Sequence, residues 1–101
     1  WTMLASNKLI KRGIRINCTM PGPTQTPMMS HFEQATKASV LEAAMQPINR
    51  RSTPDEQAGA LLFLNSAAAT YVNGVALPID GGFMAGIATG QIDPRSLMAN
   101  A

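Results

Sequence analysis

Residues 13–28 read Gly13-Ile14-Arg15-Ile16-Asn17-Cys18-Thr19-Met20-Pro21-Gly22-Pro23-Thr24-Gln25-Thr26-Pro27-Met28, and the fold turns on how this stretch is understood. Ile14, Ile16, Cys18 and Met20 alternate with Arg15, Asn17 and Thr19, and a period of two that carries β-branched isoleucines predicts a buried strand. Buried parallel strands usually read as continuous apolar runs, so Arg15 and Asn17 belong at the edge where the chain enters the sheet. Pro21 is expected to end the ladder, and Gly22 to allow a close backbone approach that a side chain would block. Thr26-Pro27 then opens a helix, as an N-cap with proline at the first helical position. A strand running out into a loop of free N–H and C=O groups is where small ligands bind in open α/β sheets. The stretch therefore points to cofactor binding.

Toward the amino terminus, Trp1, Leu4, Ala5 and Leu9 share one face at helical spacing, and Gly13 stands where a left-handed terminating residue belongs. Residues 1–12 read as the end of an amphipathic helix already under way at Trp1, so the chain is expected to be a piece whose earlier part is missing. Lys8, Lys11 and Arg12 fall in the last turns of that helix, where cations complement the dipole.

Toward the carboxyl terminus, Met28, Met29, Phe32 and Ala35 form one apolar helical set, and Ala38, Leu41, Ala44 and Met45 another, slightly out of register with the first. Ser30 and Glu33 have the spacing of a capping box, and Asn49-Arg50-Arg51 after Pro47 reads as an exit loop. Thr53-Pro54-Asp55-Glu56 is a fuller helix start: threonine as N-cap, proline next, acids in the first turn, and Glu56 completing the box. That helix is expected to end near Asn65-Ser66, with Ala58, Leu61, Leu62 and Asn65 on one face. Asp55 and Glu56 are adjacent and do not converge on one substrate atom, so capping explains them better than acid–base catalysis. Asn73-Gly74 turns the chain into a short strand, Val75 to Ile79, which Pro78 confines to an edge or to its own end. Asp80-Gly81-Gly82 closes it. Asp93-Pro94 in the tail can cap a final turn that holds Leu97 and Met98.

Two blocks carry a family resemblance. Gly13-Ile14-Arg15-Ile16-Asn17 with Pro21-Gly22-Pro23-Thr24-Gln25-Thr26-Pro27-Met28 resembles the "GIRVN…PGxxxTxM" segment of short-chain dehydrogenases/reductases. Arg50-Arg51, Thr53-Pro54-Asp55-Glu56-Gln57-Ala58, Phe63-Leu64, Ser66, Gly74 and Asp80-Gly81-Gly82 are similar to that family's "R…xPxEvA…FL…S…G…vDGG" ending. Both lie in family order, and they match the carboxyl-terminal part of such an enzyme.

The resemblance implies an α/β fold, the carboxyl-terminal part of a Rossmann-like doubly wound parallel sheet. In that frame residues 1–12 end the catalytic helix, 13–28 form the strand and nicotinamide loop, 29–51 a substrate lid, 53–82 a helix and the last strand, and 83–101 a tail. The two strands would be parallel neighbours joined by a right-handed crossover, with a sheet edge left bare. NAD or NADP is the implied cofactor. Pro21, Gly22, Thr24, Thr26 and Met28 would contact it: the Thr24 backbone would grip the carboxamide with one N–H and one C=O, and Thr26 would add a hydroxyl. Met29, Phe32, Met45, Phe83 and Met84 would line the pocket of a small alcohol or carbonyl substrate, whose reversible oxidation is the implied reaction. The family's catalytic Tyr and Lys would lie before Trp1, with its Ser still further upstream, so no catalytic residue is assigned here and the isolated chain is expected to be inactive. Tyr71 has Val75, not lysine, four residues on. The tail is faintly like those of bacterial hydroxysteroid and coniferyl-alcohol dehydrogenases. Related enzymes assemble as homodimers or homotetramers, and a cytoplasmic location is expected. The alternative is a non-catalytic oligomerisation or binding fragment.

Composition bounds these readings. With 101 residues, 46% hydrophobic and 14% charged, the chain resembles a buried interior more than a solvated independent module. A net charge of +2 and no aromatics interleaved with the basic residues argue against nucleic acid, and no apolar run approaches bilayer length. The single Cys18 reads as a small buried apolar residue, and His31, the single histidine, has no companions at metal-ligand spacing. No metal site is expected.

Overall fold

A computed structural model describes residues 1–99. Helix α1 (Thr2–Leu9) runs into a 3-10 turn over Ile10–Arg12, and Gly13 ends it in the left-handed region at φ 75°. Strand β1 (Cys18–Pro21) follows, then the short helices α2 (Met29–Ala35) and α3 (Ala38–Ala44), the longer α4 (Pro54–Leu64), strand β2 (Ala76–Ile79), and helices α5 (Phe83–Ala88) and α6 (Pro94–Ala99). The strands pair in parallel, Cys18 opposite Ala76 through Pro21 opposite Ile79. Parallel strands need a long crossover, and α2, α3 and α4 occupy it. The fold is thus a strand–helices–strand piece of the Rossmann type.

Several elements lie differently from their expected positions. The strand is shorter and later than the alternation of Ile14 to Met20 suggests, and Pro21 belongs to it, because the N–H groups turned toward β2 are in phase with Cys18 and Gly22, which donate to the Val75 and Ile79 carbonyls at 3.0 Å each, and the missing N–H of Pro21 falls on the opposite side. Arg15 and Asn17 lie before β1 and act as pins. One Arg15 guanidinium nitrogen donates to the carbonyls of Leu64 and Val72, each at 3.1 Å. The Asn17 amide donates to the Val72 carbonyl at 3.1 Å and accepts from the Val75 N–H at 3.0 Å. Thr26-Pro27 forms a turn, not a cap: α2 begins at Met29, with Met28 at its N-cap and no side-chain capping bond. Ser30 and Glu33 form no box either, since the Ser30 hydroxyl donates to the Pro27 carbonyl and Glu33 pairs with Arg51. The slip between the two apolar sets is a real break, with Thr36 and Lys37 extended between α2 and α3.

Helix α4 starts as its sequence dictates. The Thr53 hydroxyl accepts from the Glu56 N–H at 3.2 Å, and the Glu56 carboxylate accepts from the Thr53 N–H at 2.8 Å. Arg50 donates to both Glu56 oxygens at 2.8 Å. The Arg50 guanidinium first, and the Thr53 N–H second, hold the Glu56 carboxyl down at about 2. A folded value below the unfolded one means that the carboxylate's contribution to folding is complete above about pH 4.3 and is lost as pH falls toward the folded value. A carbon-13 NMR titration of the Glu56 carboxyl is expected to give a midpoint of about 2. A midpoint at about 4.3, the ordinary value for glutamate, would mean that the box and the ion pair do not persist in solution.

Burial is thin. Met29, Leu41, Leu64, Ala69 and Ile92 are the buried apolar residues among those described, and Leu64, not Leu61 or Leu62, is the residue of α4 that is covered. Trp1 and Leu4 are 87% and 86% exposed and Leu62 72%, so the apolar faces of α1 and α4 are bare. The radius of gyration is 15.9 Å, where a compact domain of this length has about 13 Å. A two-stranded sheet needs further strands or packing partners for independent stability. No described helix is long and apolar enough to cross a membrane.

The tail is more ordered than its glycine content suggests. The Asp80 carboxylate accepts from the N–H groups of Gly82 at 3.0 Å and Met84 at 2.9 Å and so starts α5. Ile92 then folds back over Gly86, whose missing side chain makes room for it. Leu97 on α6 is half-buried, and residues 100 and 101 of the expected tail lie outside the described residues.

Candidate functional site

Beyond β1 the chain makes one further parallel contact. Ser52 N–H donates to the Pro23 carbonyl and Gln25 N–H donates to the Ser52 carbonyl, each at 2.9 Å, which sets Thr24 beside Ser52. In a parallel bridge of this kind the flanked residue turns its own N–H and C=O to the opposite side. Thr24 thus presents a donor and an acceptor away from Ser52, and neither has a backbone partner among the described residues. The Thr24 hydroxyl is committed locally, donating to the Gly22 carbonyl at 2.9 Å. Gly22 is needed at the strand's end because a Cβ there would come within 3.0 Å of the Asp80 Cα.

Thr24 lines a cleft of about 740 Å³. Pro21, Gly22, Thr26, Met28, Met29, Phe32, Phe83 and Met84 line it too, joined by Met20, Thr36, Val40, Leu41 and Ala44. The loop after β1 forms one wall, α2 and α3 another, and the start of α5 the third. Met45, grouped with the pocket residues on sequence grounds, instead lines an adjoining cleft of about 430 Å³ with Ile48, Gly81, Gly82 and Ala85, the two clefts sharing Gly22, Pro23 and Asp80. The end of α3 has turned it away from the first cleft. Met29 is buried, whereas Met28 and Phe32 are 79% and 55% exposed, so the large cleft is widely open toward solvent. The Thr26 hydroxyl, relieved of capping, makes no hydrogen bond among the described residues and stands at the cleft wall.

The walls carry little charge. Asp80 is the one acidic or basic residue among the described residues that line the large cleft, and both its oxygens are engaged at the start of α5. Arg51 stands outside the cleft, paired with Glu33 of α2 and donating to the Gln25 side-chain carbonyl at 2.7 Å. That pair ties α2 to the loop that leaves α3. His31 and Tyr71 are exposed and line neither cleft.

Sequence reading missed Ser52 and Gln57. Gln57, in the first turns of α4, donates one amide hydrogen to the Ser52 hydroxyl and the other to the Ile79 carbonyl, both at 2.9 Å. The signal available was a polar residue in the helix turn nearest the strand ends, where packing alone would favour an apolar one.

A parallel strand pair with a crossover, ending in a glycine-bearing loop that opens its peptide groups to a cleft beyond the carboxyl ends of the strands, defines an α/β protein of the nucleotide-binding kind. A family profile described as enoyl-(acyl carrier protein) reductase matches residues 1–84. The chain belongs to the short-chain dehydrogenase/reductase family. It is similar to the cis-4-hydroxycyclohexanecarboxylate dehydrogenase of Sinomonas cyclohexanicum, 42% identical over 72% of this chain and 28% of that one. Among solved structures it resembles an Agrobacterium tumefaciens protein with bound NADP, at TM-score 0.70 and 36% identity over 83% of this chain and 34% of that one. It also resembles the 3-ketoacyl-(acyl-carrier-protein) reductase of Brucella melitensis complexed with NADH, at TM-score 0.67 and 30% identity over 81% of this chain and 31% of that one. The chain spans 14% to 34% of the length of the first curated relatives it matches.

Proposed function

We propose that this chain is the carboxyl-terminal portion of an NAD- or NADP-dependent oxidoreductase acting on an alcohol or ketone, and that it supplies the nicotinamide loop and the substrate lid. One observation carries the reading: the bridge at Ser52 leaves the Thr24 N–H and C=O free beside the cleft. A carboxamide presents one acceptor and one donor group, so the N–H and C=O of one extended residue, which face the same side, can hold it at two points and fix which ring face meets substrate. Pro21 and Gly22 set the turn that brings that peptide forward, and Thr26 offers a hydroxyl to the carboxamide or to a cofactor phosphate. Met28 begins the cover.

The bound nicotinamide supplies hydride acceptance or donation, and this chain's residues orient it and exclude water. The substrate hydroxyl proton is exchanged by the family's Tyr–Lys pair, which has no counterpart here. Met29, Phe32, Phe83 and Met84 would meet the body of the substrate, with Met84 turned toward its open side. Their apolar character favours an alcohol with an uncharged ring body, of the hydroxysteroid or aromatic-alcohol kind. The complete protein is expected to quench or enhance NADH or NADPH fluorescence on titration and to turn over such alcohols, whereas these 101 residues alone are expected to show no turnover. Absence of dinucleotide binding by the complete protein, with Thr24 and Thr26 intact, would overturn the reading.

The alternative reading is a chain whose relevant property is assembly into a homodimer or homotetramer; in the carboxyl-terminal portion of a longer enzyme, the apolar faces of α1 and α4, bare at Trp1, Leu4 and Leu62, would meet the remainder of the sheet and its helices instead. A non-catalytic oligomerisation fragment would keep those faces for a partner copy. Sedimentation of the complete protein with and without the segment from Phe83 onward separates assembly through the tail from assembly through the helices.

A further inference from the structure

We propose that Ser52 and Gln57 are positioning residues that aim the Thr24 peptide, through a one-way relay of hydrogen bonds; this rests on the reading of Thr24 as the carboxamide grip. The direction follows from donor chemistry. The Gln57 nitrogen can only donate, so the Ser52 oxygen accepts from it at 2.9 Å. A carbonyl can only accept, so the Thr24 hydroxyl gives its one proton to Gly22 at 2.9 Å. The 2.9 Å contact between the two hydroxyls can then run only one way, from Ser52 to Thr24. Gln57 donates to Ser52, Ser52 to Thr24, and Thr24 to Gly22.

The second hydrogen of the same Gln57 nitrogen reaches the Ile79 carbonyl, at the end of β2. Helix α4, the last residue of β2 and the loop after β1 are thereby locked to one another around Ser52. Two backbone bonds flank Thr24 and the hydroxyl relay fixes its side chain, so the peptide of Thr24 has little freedom to rotate. Neither Ser52 nor Gln57 lines the large cleft, so both would act through Thr24 without touching the ring.

The test uses the complete protein and three ligands: its own dinucleotide, the nicotinic acid analogue of that dinucleotide, and the corresponding ADP-ribose, which lacks the ring. A carboxylate cannot donate to the Thr24 carbonyl, so the unaltered protein is expected to prefer the carboxamide by roughly tenfold. Ser52→Ala removes the relay's middle member and is expected to weaken the dinucleotide by about fivefold and to shrink that preference, with ADP-ribose affinity unchanged. Ser52→Thr keeps the hydroxyl and is expected to restore both. Gln57→Leu is expected to repeat the Ser52→Ala pattern and serves if that variant does not fold. If the unaltered protein fails to discriminate, the Thr24 reading falls and the relay with it. If it discriminates and both variants keep the preference, the relay alone is overturned. If ADP-ribose weakens in parallel with the dinucleotide, Ser52 and Gln57 support the fold only, and the proposal fails.

Discussion

Gly81→Ala is expected to destabilise the protein by about 3 kcal/mol, the sum of two independent penalties. Gly81 has φ 65°, a conformation that costs a residue bearing a Cβ roughly 1–2 kcal/mol. The added Cβ would also lie 2.3 Å from the Ile48 Cγ2 and 2.9 Å from its Cβ. A β-branched side chain cannot withdraw its own Cβ, so relief requires the backbone of the Asn49 turn or of the Asp80-Gly81-Gly82 turn to move. Thermal or denaturant unfolding of the complete protein measures the loss. Gly90 is the comparison: it has φ 75° but nothing within 4 Å of an added Cβ, so Gly90→Ala is expected to show only the conformational part. Equal effects at both positions would mean that Ile48 is not packed against Gly81.

Gly22→Ala acts on function more than on stability. Its Cβ would meet the Asp80 Cα at 3.0 Å and the Asp80 Cβ at 3.3 Å, so the ends of the two strands must part by a few tenths of an ångström. The loop from Gly22 to Gln25 moves with that shift, and Asp80, which starts α5 beneath Phe83 and Met84, moves against it. Displacing a positioning peptide by a fraction of an ångström can lower turnover by about tenfold to a hundredfold. Steady-state kinetics on the complete protein is expected to show that loss with a fall in stability of about 1 kcal/mol. Gly59→Ala, in α4 with nothing near the added Cβ, is expected to leave turnover unchanged and to stabilise the helix by about 0.5–1 kcal/mol. A Gly22→Ala enzyme as active as the Gly59→Ala enzyme would separate the loop from catalysis.

The parts of the fold legible in sequence were those written in local chemistry. The capping box at Thr53 and Glu56, the left-handed Gly13 and the Asn73-Gly74 turn each depend on neighbours a few residues away, and each stands where its residues put it. The parallel pairing and the family followed from two motif blocks in order. What escaped is set by contacts distant in sequence. Strand β1 begins only where β2 lies beside it, so the alternation from Ile14 overstated its length. Thr26-Pro27 has the local preference for a cap, but the bridge of the neighbouring loop to Ser52 holds the chain in a turn until Met29. Of the residues expected to line one pocket, Met45 lies in the adjoining cleft, because the break at Thr36-Lys37 and the end of α3 re-aim it, which no periodicity across Met28–Met45 could register. Ser52 and Gln57 were silent because their meaning lies in what they touch across the crossover.

The central claim is that the peptide of Thr24 holds the nicotinamide carboxamide. A crystal structure of the complete protein with its dinucleotide tests it most directly. The carboxamide is expected to lie within hydrogen-bonding reach, about 3 Å, of both the Thr24 N–H and the Thr24 carbonyl, with the ring in the cleft between Thr26 and Phe83. A ring bound elsewhere, for instance behind Asp80 beside Met45 and Ile48, would contradict the account.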